Sequence, residues 1–341
     1  MAHFQAVLVD FDDDLFPPPG WIAGEMAAAG VEWVQGQHRS PEAVLEATRR
    51  ADVVLVQSVR PLLSAGIIDQ LERCRCIVRL GIGYDSVDVA AATRQGIVVC
   101  NAPTYCVDDV ADHSVALLLG CVRHLGRQDR WIRDGRWDRT GARPARRLKG
   151  HTLGLVGFGR IAQAVARRMA GFDLSILAYD PFIAADQILS LGAIKCELDE
   201  LLAGADFISI HCPLTPETHH LLGDREFALA RDGVFVVNTS RGPIIDNDAL
   251  ARALASGKVW GAGLDVFETE PLPADSPLRG FDNVILTPHV AANSEESVQD
   301  LYRTGCNVVL DVLHGRWPQS AVNPEERDAA AFRLQAGGRI Q

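Results

Sequence analysis

Residues 151–170, HTLGLVGFGRIAQAVARRMA, constrain the chain more than any other stretch. Leu153 to Val156 is a short apolar run with a β-branched member, followed at once by glycine, which reads as a buried strand ending in a tight turn. Gly157, Gly159 and Ala162 occupy the positions of a G-x-G-x-x-G/A turn around Phe158. The first glycine permits the turn, the second lets a pyrophosphate approach the backbone, and the small third residue lets a helix pack on the strand. From Arg160 and Ile161 onward, apolar residues recur at helical spacing, so a helix N-terminus points free N–H groups at the turn, where an anion belongs. A second apolar run, Leu174 to Tyr179, ends in Asp180. This completes a β-α-β unit of about 30 residues with an acid about 20 residues beyond the glycines. A carboxylate there can accept both ribose hydroxyls of an adenosine and repels a 2′-phosphate, so the unit reads as a site for NAD rather than NADP.

A chain of 341 residues, 48% of them hydrophobic, has room for two domains with buried cores. The formal net charge of −11 argues against a nucleic-acid surface. The one basic run, Arg143 to Lys149, is broken by proline and reads as a solvated connection. The eight cysteines are scattered and mostly in apolar runs, as expected of reduced thiols. Cys74-Arg75-Cys76 has no second cluster to complete a metal site, so no metal is expected. With neither a signal-peptide pattern nor an apolar stretch long enough for a membrane span, the chain is expected to be soluble and cytoplasmic.

Along the chain, apolar strands alternate with helical patterns, which predicts parallel sheets covered on both faces. Strands are predicted over Ala6–Val9, Val31–Val34, Val53–Val56, Cys76–Leu80 and Ile97–Cys100. Helices are predicted over Trp21–Ala29, Pro41–Arg50, Leu62–Leu71 and Asp85–Gln95. Asp10 to Asp14 reads as a solvated loop rather than a cation site. Gly81-Ile82-Gly83, at the carboxyl end of a strand, either offers N–H groups to a small anion or simply turns the chain. Beyond Pro103 one long helix is predicted from Val107 to about Arg130, followed by an Arg-, Gly- and Trp-rich arm, Trp131 to Arg147. Past Asp180 come strands Phe207–His211, Val234–Val237, Gly261–Val266 and Val284–Leu286, a last amphipathic helix over Glu295–Leu313, and a polar tail after Pro324.

Three of these strands each deliver a titratable residue just past their carboxyl ends: Arg241, Glu270 and His289. Ligands of open α/β sheets bind outside those ends, so the three can face one cleft. Arg241 can fork onto a carboxylate and polarise a neighbouring carbonyl. His289 can exchange the proton that moves when a secondary alcohol loses hydride, and Glu270 can fix its tautomer and favour the imidazolium.

Gly157-Phe-Gly-Arg-Ile-Ala162, Asn238-Thr-Ser-Arg-Gly242, Leu264-Asp-Val-Phe-Glu-Thr-Glu-Pro271 and Thr287-Pro-His289 together resemble the D-isomer-specific 2-hydroxyacid dehydrogenase family, from about residue 50 to residue 323. The resemblance implies an α/β fold of two Rossmann-like doubly wound parallel-sheet domains, the coenzyme domain inserted into a flavodoxin-like substrate domain. Residues 1–102 and 295–330 would form the discontinuous substrate domain, 103–294 the NAD-binding domain and 331–341 a polar tail. It implies that Arg241 is the substrate arginine, Glu270 the acid supporting the histidine and His289 the acid/base, with Ile82 and Gly83 offering N–H groups to the substrate carboxylate. Thr239 and Asp265 would lie near the nicotinamide ribose and carboxamide, and Cys212 to Thr218 along the adenine side, with His211, Pro213, Ser240 and Ala291 completing the cofactor set. Dimers are usual in the family, which implies a homodimer.

Ile77-Val-Arg-Leu-Gly81, His211-Cys212 and His219-His220-Leu-Leu are similar to the C-terminal-binding-protein branch, whose vertebrate members are NAD-sensing corepressors. That likeness makes Arg79 a substrate-pocket candidate. The chain departs from the branch at Ala292, where those corepressors carry a tryptophan. His219 and His220 lack a ligand partner at metal spacing and read as structural. The resulting expectation is an NAD-dependent oxidoreductase interconverting a small 2-keto acid and its D-2-hydroxy acid. The alternative is an NAD(H)-sensing, corepressor-like protein with incidental turnover.

Overall fold

A computed structural model describes residues 4–139 and 145–324. The chain divides into two compact units, Met1–Cys106 with Asn293–Gln341, and Val107–Ala292. The expected tail, 331–341, and residues 140–144 of the arm lie outside the described residues.

The first unit alternates strictly: β1 (Phe4–Leu8), α1 (Ile22–Ala28), β2 (Val31–Gln35), α2 (Pro41–Thr48), β3 (Val53–Val56), α3 (Ala65–Ile68), β4 (Cys76–Arg79), α4 (Val89–Arg94) and β5 (Val98–Cys100). Among the described residues its five strands pair in parallel in the order β2-β1-β3-β4-β5, the flavodoxin order. β3 and β4 are buried at every position, which explains why they read as continuous apolar runs.

The second unit opens with α5 (Val107–Val122) and α6 (Leu125–Arg133). It continues with β6 (Thr152–Val156), α7 (Arg160–Met169), β7 (Ser175–Tyr179), α8 (Ala185–Ser190), β8 (Ile194–Lys195), α9 (Leu198–Gly204) and β9 (Phe207–Ile210). Next come α10 (Asp224–Leu229), β10 (Val234–Asn238), α11 (Asn247–Ser256), β11 (Val259–Leu264) and β12 (Val284–Leu286). Seven described strands, all parallel, run β12-β11-β10-β9-β6-β7-β8. The chain order reverses between β6 and β9, which makes the loops after those two strands the switch point where such sheets bind ligands. One apolar core packs α5 and α7 on the sheet, and a second packs α9, α10 and α11.

α12 (Glu295–Leu313) returns the chain to the first unit. Ser294 and Ser297 cap its start reciprocally, and the buried Tyr302 donates its hydroxyl to the Phe16 carbonyl at 2.8 Å.

Four elements differ from the sequence reading. The long helix predicted from Val107 to about Arg130 is two helices, because His124 adopts a left-handed conformation (φ 59°) between α5 and α6. The helix predicted over Leu62–Leu71 is one turn, Ala65–Ile68, and that over Asp85–Gln95 begins only at Val89, after the cap Asp88. The short edge strand β8 carried no apolar run to announce it.

Candidate active site

The turn after β6 forms where local chemistry requires it. Gly157 has φ +83°, and a Cβ there would stand 2.7 Å from the Cys212 nitrogen, so both its conformation and the loop after β9 demand glycine. Around Gly159 no heavy atom lies within 4 Å of where a Cβ would be, which keeps the approach to the start of α7 open. The first N–H groups of α7, from Arg160 and Ile161 onward, have no carbonyl within the helix to bond, and the fully buried Ala162 lets α7 pack on the sheet. This cradle fits a dinucleotide pyrophosphate. Asp180, at the end of β7, accepts the Phe158 N–H at 2.9 Å through Oδ2 and the N–H groups of Phe182 (2.9 Å) and Ile183 (3.2 Å) through Oδ1. Gln163, which the sequence reading passed over, closes the turn from the other side by donating to the Phe158 carbonyl at 2.9 Å.

The loop after β9 is built by its own hydroxyls. The Thr218 side chain accepts the Thr215 N–H and donates to the Pro213 carbonyl, both at 2.7 Å, and Ser240 Oγ donates to the Cys212 carbonyl. His211 lies 2.8 Å from Ser209 Oγ, and burial pushes its imidazole down to about 3, which keeps it neutral. His219 stacks on His220 at 4.1 Å, and His220 Nε2 pairs with Glu268.

Arg241, Glu270 and His289 follow β10, β11 and β12, neighbouring strands of one parallel sheet edge. The Arg241 turn is held by Asn238, whose side chain donates to the Arg241 carbonyl at 2.9 Å and accepts the Ser240 N–H at 3.0 Å. Gly242 is required by close approach: a Cβ would stand 1.9 Å from the carbonyl carbon of Phe267, so the loop after β10 lies against the one after β11. Glu270 accepts the Phe267 N–H at 3.0 Å with Oε1 and meets His289 Nδ1 at 2.8 Å with Oε2. Burial resists its ionisation, but the His289 hydrogen bond and charge, the Phe267 N–H and the charge of Arg241 together hold its carboxyl below the usual range. His289 itself has φ +55°, a strained backbone for a non-glycine residue, and its N–H bonds to the Asp265 carbonyl at 2.8 Å.

Asp265, at the end of β11, holds the loop after β12. It is wholly buried, its Oδ1 accepting the Thr287 hydroxyl at 2.6 Å and the Val290 N–H at 2.9 Å, and its Oδ2 the Ala291 N–H at 2.9 Å. Asp265 and Ala291 therefore act on each other and fix the loop that carries His289. Thr239 is nearly buried and shares a 2.7 Å hydrogen bond with Ser114 Oγ of α5. The remaining candidates belong to the first unit. Arg79 is buried at the end of β4 and donates to the Leu80 carbonyl; the Ile82 carbonyl accepts from the Asn101 side chain at 2.8 Å; Gly83 is half-buried. The signal that could have found Ser114, and His113 beside it, was a polar pair leading directly into the apolar run that ends α5.

Residues 115–291 match the family described as D-isomer specific 2-hydroxyacid dehydrogenase, NAD binding domain. The chain is 40% identical over 308 residues to a D-3-phosphoglycerate dehydrogenase of Mycobacterium bovis, a match covering 89% of this chain and 57% of that relative. It is 37% identical over 297 residues to a glyoxylate reductase of Korarchaeum cryptofilum, covering 86% of this chain and 89% of the relative. A solved D-lactate dehydrogenase from Aquifex aeolicus, complexed with NAD and lactic acid, superposes with a TM-score of 0.79 at 30% identity over 92% of this chain and 96% of that one. The chain therefore belongs to the D-isomer-specific 2-hydroxyacid dehydrogenase family and carries that family's NAD-binding domain. It spans only 57% of the length of the mycobacterial relative.

Proposed function

We propose that the protein is an NAD-dependent oxidoreductase that interconverts a small 2-keto acid and its D-2-hydroxy acid. The observation that carries this reading is the His289–Glu270 pair at 2.8 Å, with Arg241 following the neighbouring strand, along the edge of a sheet whose switch point bears a glycine turn. The glycine turn and the first N–H groups of α7 would hold NADH, which when bound would supply the hydride for reduction. Arg241 forks onto the substrate carboxylate and polarises the adjacent carbonyl. As the carbonyl carbon gains hydride, the His289 imidazolium passes its Nε2 proton to the carbonyl oxygen, leaving a hydroxyl group and a neutral imidazole. Glu270, bonded to Nδ1, stabilises the charged form before transfer and fixes the tautomer afterwards. The same groups run the oxidation in reverse. The N–H groups of Ile82 and Gly83, together with Arg79, are proposed as further holds on the substrate carboxylate, and Asp180 as the charge that rejects a 2′-phosphate.

The relatives' names make glyoxylate, D-lactate and D-3-phosphoglycerate the first acids to test. Oxidation of NADH, with NADPH in parallel, over a panel of 2-keto acids should show turnover with at least one acid and a clear preference for NADH. Tight NADH binding with no turnover on any acid would support the sensor reading instead.

The protein is also proposed to act in the cytoplasm as a homodimer. None of the eight cysteines is in a disulfide, as a reducing compartment implies, and among the described residues no helix is long and apolar enough to cross a membrane. α6 buries none of its residues, and Leu125 and Ile132 on it, like Trp137 beyond it, are exposed, as a subunit contact requires. Light scattering should give twice the chain mass.

A further inference from the structure

Two adjacent residues of α5 touch both loops of the proposed catalytic corner. Ser114 bonds Thr239 at the start of the Arg241 loop, at 2.7 Å. His113 reaches the other loop, with Nε2 3.0 Å from Thr287 Oγ1 and 3.6 Å from Asp265 Oδ1. Proton counting fixes the direction of this chain. Asp265 already accepts a main-chain N–H on each of its two carboxyl oxygens, so it acts as an acceptor. The single proton of the Thr287 hydroxyl goes to it across 2.6 Å. Thr287 Oγ1 can then only accept from His113, so Nε2 of His113 carries hydrogen. The relay runs from His113 Nε2–H through Thr287 Oγ1–H to Asp265 Oδ1, and from there the carboxylate grips the N–H groups of Val290 and Ala291.

Between that grip and the His289 N–H bond to the Asp265 carbonyl lies the strained His289 backbone, at φ +55°. A left-handed conformation at a non-glycine residue persists only where its surroundings over-determine it. Here the surroundings are the Asp265 clamp, and His113 is the group on a separate helix that orients the clamp.

We propose that His113 is a positioning residue for the reaction: by donating through Thr287 to Asp265, it holds His289 in the conformation that meets Glu270. The proposal rests on the reading of His289 as acid/base, so its test has one readout independent of turnover. In hydrogen–deuterium exchange, H113L and T287V should each speed exchange of the Val290 and Ala291 amides by about tenfold, because both break one local stabilising link. The double variant should exchange no faster than either single one, since the two act in series. H113Q, whose amide nitrogen can stand where Nε2 does, should stay near the wild-type rate. In assays with an active keto acid, H113L should lower kcat about tenfold and shift the histidine limb of the pH profile, with NADH Kd within about twofold and recovery in H113Q. Wild-type exchange in H113L, or additive effects in the double variant, would overturn the proposal; so would a kcat loss without a change in exchange. If H113L fails to fold, T287V and H113Q alone decide it in the same way. Absence of any turnover in the wild type would sink the proposed function and leave the exchange result to stand for the clamp.

Discussion

The glycine turn and the acid/base corner share one sheet edge but are built from different material. At the turn the chemistry is main-chain: a Gly157 conformation, a helix start, and Asp180 braced by three N–H groups. At the corner it is side-chain: an arginine, a glutamate and a histidine from three successive strand ends, held in place by Gly242, Asn238 and Asp265. The division follows from the two tasks. Holding a pyrophosphate needs fixed dipoles that do not titrate, whereas moving a proton needs a group that changes charge, and such a group must be positioned by others.

The sharpest way to break this comparison is to damage each region alone. H289A should lower kcat by about 10²–10⁴-fold while NADH binding, read by fluorescence, changes by less than about twofold. Equal losses in both would mean the corner also carries the cofactor. G157V should do the reverse, weakening NADH by about tenfold or more through its φ of +83° and its 2.7 Å approach to Cys212, with a lowered Tm, while the turnover that remains at saturating cofactor still depends on His289.

Legibility divides along the same line. The turn was readable because its geometry is local: strand, glycines, helix and acid follow one another, and small residues mark where the backbone bends. The corner was readable only as three residues at equivalent places after three strands, and it became a site through parallel pairing, which the sequence does not encode locally. What escaped was longer range still. The apolar spacing of α5 runs on through Val122 and Leu125, yet His124 turns left-handed between them and α6 buries nothing. The Asp265 clamp is of the same kind: only the fold shows that the loop after β12 closes over its carboxylate.

Smaller effects refine the corner. E270Q should lower kcat by about tenfold, since a neutral amide orients His289 but stabilises its charged form less. Its carboxyl is held below its ordinary value, so its contribution to stability is full above about pH 4.5 and is lost as pH falls through the depressed value. E270Q should therefore flatten the acid decline of stability measured by urea unfolding below about pH 4.5. The smallest effect is at the turn side. His211 stays neutral down to about 3 in the folded chain, whereas an exposed histidine charges near 6.5, so the unfolded chain takes up the proton first and stability falls between those values. H211Q should reduce that slope and leave unfolding above pH 7 nearly unchanged.

The most direct measurement is a crystal structure with NAD and a non-reacting keto-acid analogue such as oxamate. His289 Nε2 should lie about 2.6–3.2 Å from the analogue's carbonyl oxygen, with Glu270 still on Nδ1 and the Arg241 guanidinium on the carboxylate. An imidazole turned to solvent, or an analogue bound away from Arg241 with the nicotinamide elsewhere, would contradict the assignment.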